Sequence, residues 1–127
     1  MDTRTKIVSP DALLGELSGE PWTLAIGRFP ALTAEHAAAL ERTAQLDGLL
    51  AVAVAADSWD GPYPLDERSR AQLVAAVAGV DRVVICDHPA AERLQELGRP
   101  AAVIEIEVLV KRDIVADVIA RHSDSSA

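Results

Sequence analysis

Residues 22–40 read WTLAIGRFPALTAEHAAAL, and the chain changes character inside them. Trp22 to Ile26 is a short apolar run that stops at Gly27, which predicts a buried strand followed by a turn. From Thr33 the pattern becomes helical: Thr33 is placed to cap the helix, with Glu35 and His36 in its first turn. Strand, glycine turn and capped helix make half of a βαβ unit. The turn then lies at the carboxyl end of the strand, where open parallel sheets bind ligands. The helix start offers N–H groups to an anion. Gly27 suits the turn because it allows a close backbone approach.

Outward from this stretch the alternation repeats. Leu49 to Ala55 is a continuous apolar run, the pattern of a buried parallel strand, and Arg82 to Cys86 predicts a third strand. Helices are expected from about Ala34 to Leu46, from Glu67 to about Ala78 behind an Asp66 cap, and from Asp87-His88-Pro89 to near Gly98. Ser9-Pro10-Asp11 opens a short helix ahead of the first strand, and Met1 to Thr5 is polar and expected to be loose. Ala101 to Val110 carries Glu105 and Glu107 in an apolar run, a period-two pattern for a strand with one wet face near the sheet edge. Lys111 to His122 reads as a last amphipathic helix, with Ser123 to Ala127 fraying. The expectation is one α/β domain over residues 1–127: a three-layer α/β/α, Rossmann-like parallel sheet of four or more strands, with right-handed crossovers.

The 127 residues are half apolar but only 3% aromatic, so the core is expected to pack through alanine and valine. A formal charge of -8 and an isoelectric point near 4.7 argue against nucleic-acid binding, because phosphate repels such a surface. One local phosphate pocket remains compatible with it. No segment reaches the roughly 20 apolar residues of a membrane span, and no signal-peptide block opens the chain, so a cytoplasmic location without membrane partners is expected. The single cysteine, Cys86, reads as a small core residue. Asp57, Asp60, Asp66 and Asp87 fit no metal motif, and His88 and His122 lack partners at zinc-ligand spacing, so no metal site is expected. Trp59 and Tyr63, on the loop from Asp57 to Asp66, have three readings: stacking on a base, covering a partner, or filling the pocket.

The Gly27 stretch resembles the signature of the cytidylyltransferase-like nucleotidyltransferases: glycine, any residue, phenylalanine, aspartate, two residues, then histidine-x-glycine-histidine. Gly27, Phe29 and His36 match; Pro30 replaces the aspartate, Thr33 the first histidine and Glu35 the glycine. Some branches of the superfamily use threonine at that first position. Lys6 to Leu14, Arg70 to Val83 and Ala91 to Pro100 resemble, in order and spacing, segments of the heptose-phosphate adenylyltransferase domain. The resemblance implies a nucleotidyltransferase-like fold. It implies His36 and Thr33 as catalytic groups, Gly27, Arg28, Phe29 and Arg70 as nucleotide-binding groups, and Mg2+ arriving with ATP or CTP. Read without it, Thr33 caps its helix, His36 lies on a helix surface, Arg28 pairs with Glu35, and Arg70 pairs with Asp66 or Glu67.

The departures point away from turnover. Only His36 remains of the histidine pair, Asp57 to Arg70 contains no lysine where the family has one, and the family's serine-threonine-threonine helix start is absent near Val110 to Arg112. The favoured expectation is therefore a degenerate, non-catalytic homologue that binds a protein partner, self-associates as a homodimer, or holds a small phosphorylated ligand. The alternative is an active enzyme that transfers a nucleotidyl group from ATP or CTP to a sugar or polyol phosphate, with Mg2+ and release of pyrophosphate.

Overall fold

The computed structural model describes residues 2–59 and 61–111. The elements run α1 (Pro10–Glu16), β1 (Trp22–Gly27), α2 (Ala34–Thr43), β2 (Leu49–Ala55), α3 (Glu67–Ala75), β3 (Arg82–Cys86), α4 (His88–Gly98) and β4 (Ala102–Glu105). The four strands form one all-parallel sheet in the order β3-β2-β1-β4. Each helix starts on a side-chain cap that accepts a backbone N–H three residues on: Ser9 from Ala12, Thr33 from His36, Asp66 from Ser69 and Asp87 from Ala90. Such caps satisfy one of the four orphan N–H groups at a helix start.

The two sheet faces differ in side-chain size. Leu50, Val52 and Val54 of β2 point to α2 and α3, into a cluster with Ala25, Phe29, Leu40 and Val74. Ala51 and Ala53 point the other way, packing with Leu13 of α1 and Ala91 and Leu94 of α4 around Trp22 and Leu24. From Leu50 to Ala55 the apolar run of β2 thus hides a period-two alternation of large and small, while Leu49 packs on the alanine face. Trp22 fixes the second face by donating its indole N–H to the Gly98 carbonyl at the end of α4, 2.7 Å away.

Several boundaries differ from expectation. The strand expected over 101–110 ends at Glu105, and residues 106–111 are helical. The register gives the reason: Thr23 pairs with Ala102 and Ile26 with Glu105, and β1 itself ends at Gly27. With no further partner strand, the chain coils and buries Ile106 and Val110, four residues apart, in the core beside Phe29. The segment before α1 forms a 3-10 turn over Thr3–Lys6, capped by Asp2, where a loose terminus was expected. Ile7 then bridges Val83 and covers part of the outer edge of β3. α2 and α3 end at Thr43 and Ala75, earlier than the sequence suggests, and Leu46 and Leu73 are exposed. Asp60, His122, the expected helix beyond Lys111 and the fraying at 123–127 lie outside the described residues.

Candidate functional site

β1 delivers Gly27 to the carboxyl edge of the sheet, and the next two residues build the turn. Phe29 takes a left-handed backbone conformation, with φ of 48°. This is uncommon for a bulky residue and costs of order 1–3 kcal/mol. It folds the Phe29 ring back over Gly27, so a Cβ on Gly27 would run into Cε2 of that ring. Gly27 is therefore required for space, and the Phe29 ring belongs to the core.

The same turn aims two consecutive N–H groups at one point. Arg28 and Phe29 both donate to Oε1 of Glu107, at 2.6 and 2.9 Å. Successive N–H groups of this kind form an anion-binding concavity. Here the anion is a carboxylate of the chain itself, carried by the helical turn that follows β4.

Arg70 holds the turn from the other side. Its side chain is fully buried. Nη1 donates to the Arg28 and Ala55 carbonyls, at 2.7 Å each, and Nε donates to the Leu65 carbonyl at 3.0 Å. Nη2 pairs with Asp57 at 2.8 Å, so the ion-pair partner is Asp57 rather than Asp66 or Glu67. Tyr63 covers the guanidinium, 4.2 Å from ring centroid to Cζ, and donates its hydroxyl to the Trp59 carbonyl. Asp57 and Glu67 also exchange backbone-to-carboxylate hydrogen bonds, which tie the start of α3 to the end of β2.

Thr33 and His36 form a reciprocal capping box. Thr33 Oγ1 accepts from the His36 N–H, and His36 Nδ1 accepts from the Thr33 N–H at 3.2 Å while lying 2.7 Å from Thr33 Oγ1. The His36 ring also rests against Phe29, with centroids 5.7 Å apart.

A cleft of about 260 Å3 opens between the carboxyl ends of β1 and β4. The chain winds from β1 to β2 and β3 on one side and places β4 on the other, so this is the point where strand order switches. Gly27 and Arg28 line the cleft; Thr33, His36, Phe29 and Arg70 do not. Its walls carry Trp59, whose ring meets His88 edge-on at 5.5 Å, and the carboxylates of Glu92, Glu105 and Glu107. The structure thus brings Gly27, Arg28 and Trp59 together and sends Tyr63 to Arg70. Sequence reasoning missed the three glutamates, having read Glu105 and Glu107 as the wet face of a strand. The i, i+4 spacing of Ile106 and Val110 is the signal that a helical turn would present Glu107 differently. Among the described residues no group of three or more His, Cys, Asp or Glu is arranged to hold a metal ion.

Cys86, at the end of β3, is buried, and that burial, reinforced by the charge of Asp87, pushes its thiol up to about 12. It holds no thiolate at neutral pH and so has no nucleophile to offer. No described helix is long and apolar enough to cross a membrane.

No family model matches the chain, and no curated protein matches it. Among solved structures it is similar to a lipopolysaccharide core biosynthesis protein from Thermoplasma volcanium GSS1, with 28% identity, a TM-score of 0.57, and coverage of 65% of this chain and 71% of that one. That likeness, together with the parallel three-layer α/β/α sheet, is consistent with a Rossmann-like nucleotidyltransferase fold and points to the broader nucleotidyltransferase superfamily.

Proposed function

We propose that this chain is a degenerate nucleotidyltransferase-like protein that does not transfer a nucleotidyl group and acts as a binding module. The observation that carries the reading is the charge of the cleft: Glu92, Glu105 and Glu107 line the space at the strand ends. Nucleotidyl transfer places a triphosphate there and develops further negative charge on the leaving pyrophosphate, so it requires preorganised positive groups. A phosphate oxygen about 4 Å from a carboxylate is opposed by roughly 1 kcal/mol in water and roughly 4 kcal/mol at an effective dielectric of 20. Of the side chains that the resemblance offers in compensation, Arg28 lines the cleft beside these glutamates, and two others are engaged elsewhere. Arg70 donates to three carbonyls and pairs with Asp57, and His36 Nδ1 closes the Thr33 capping box.

Among binding roles, association with a protein partner or a second copy of the chain is favoured over a phosphorylated ligand on the same charge argument. β4 pairs only with β1 and leaves its outer edge unpaired among the described residues, with Val103 beside it 43% exposed. An open edge of this kind invites strand addition.

The test is calorimetry with ATP and CTP plus magnesium, alongside a pyrophosphate-release assay over sugar and polyol phosphates and sedimentation of the protein alone. The expected result is no saturable release. Saturable release that disappears in His36→Ala would restore the enzyme and sink the non-catalytic reading. Sedimentation showing only monomer at high concentration would remove self-association and leave a heterologous partner.

A further inference from the structure

We propose that Glu107 is an internal occupant of an oxyanion site formed by the Arg28 and Phe29 N–H groups, and that a ligand carboxylate or phosphate oxygen enters only when Glu107 leaves. The inference rests on reading the Gly27 turn as the ligand end of the sheet, and it adds a contact within this chain that keeps that end shut. Three observations support it. Two N–H groups converge on a single oxygen, Oε1, at 2.6 and 2.9 Å, the geometry of a charge-assisted pair rather than of an incidental surface contact. The turn that presents the two N–H groups includes the left-handed backbone of Phe29, a conformation that costs of order 1–3 kcal/mol. The contact also joins residues 78 and 79 positions apart, so it locks the end of β1 to the helical turn after β4.

The latch is built to stay closed without being permanent. Ile106 and Val110 are buried and fix the backbone on either side of Glu107, so the carboxylate is held close to the turn at an effective concentration of roughly millimolar or more. A free anion below that concentration competes poorly.

Glu107→Ala removes the occupant and leaves the N–H pair in place. Amide NMR spectra of the full chain, wild type and variant, are titrated separately with acetate and inorganic phosphate against chloride at matched ionic strength. In Glu107→Ala the amides of Arg28 and Phe29 are expected to shift saturably, with an apparent affinity at least about tenfold tighter than wild type. Acetate alone would identify a carboxylate site, and both anions a general oxyanion site; either outcome supports the latch. A dispersed Glu107→Ala spectrum with no saturable shift would overturn it, as would the same saturable shift in the wild type. Should Glu107→Ala fail to fold, Glu107→Met keeps much of the side-chain length and removes the acceptor oxygens. An Arg28 and Phe29 response in Glu107→Met no stronger than in wild type would then overturn the proposal. Nucleotide turnover by the wild type would refute the non-catalytic reading by itself, whereas anion silence in the variants refutes the latch by itself.

Discussion

Arg70 and Glu107 hold the same peptide from opposite sides. The guanidinium takes the Arg28 carbonyl, and the carboxylate takes the Arg28 N–H. The two residues differ in what surrounds them. Arg70 is sealed in the protein and donates to three carbonyls and one carboxylate, whereas Glu107 is half-buried at the rim of the cleft. A buried charge with saturated donors is a structural staple, because removing it strands every acceptor it served. A half-buried charge on two backbone donors is exchangeable, because water or another anion can take its place. The turn is thus anchored by its cation and gated by its anion.

The sharpest way to break this contrast is Arg70→Met, which keeps much of the volume and removes the donors. It should cost about 3–5 kcal/mol in urea unfolding, since the Arg28, Ala55 and Leu65 carbonyls and Asp57 lose their partner together. A loss below about 1 kcal/mol would show that water replaces the guanidinium and that the staple is no staple. Next in size is Gly27→Ala, which drives a methyl group into the Phe29 ring and should cost about 1–3 kcal/mol in the same measurement. A neutral result would mean that the ring yields without cost and that Gly27 is not needed for space.

Glu107→Ala should destabilise by only about 1 kcal/mol, because solvent reaches the site and hydrates the freed N–H groups. Combining it with Arg70→Met sharpens the comparison. Both residues act on one peptide, so the double mutant should be non-additive by about 0.5 kcal/mol or more, while strict additivity would separate the two contacts.

The smallest effect at neutral pH belongs to Cys86. Its raised pKa means that folding favours the protonated thiol. The contribution is fully present below the ordinary value of 9.0 and is lost as pH rises toward about 12. Thiol labelling of the native protein at pH 7 should be far slower than in denaturant. Rapid native labelling would show that the end of β3 opens readily.

How far the sequence reaches is visible in particular residues. The strands at 22–27, 49–55 and 82–86, and the caps Ser9, Thr33 and Asp66, were legible because each is set by residues within about one turn or one strand of itself. That the sheet is parallel followed from the alternation of apolar runs with capped helices, whereas the strand order came from the structure. The tertiary structure alone decided which face received the valines of β2 and which the alanines, since both are apolar and no local signal separates them. It decided that β4 stops at Glu105, because that depends on where its neighbour β1 runs out. It also decided the site. Arg70 meets a carbonyl 42 residues away, and Glu107 meets N–H groups 78 and 79 residues away. Such contacts are fixed by the sheet that brings the strand ends together, and no rule acting over a few residues of chain encodes them.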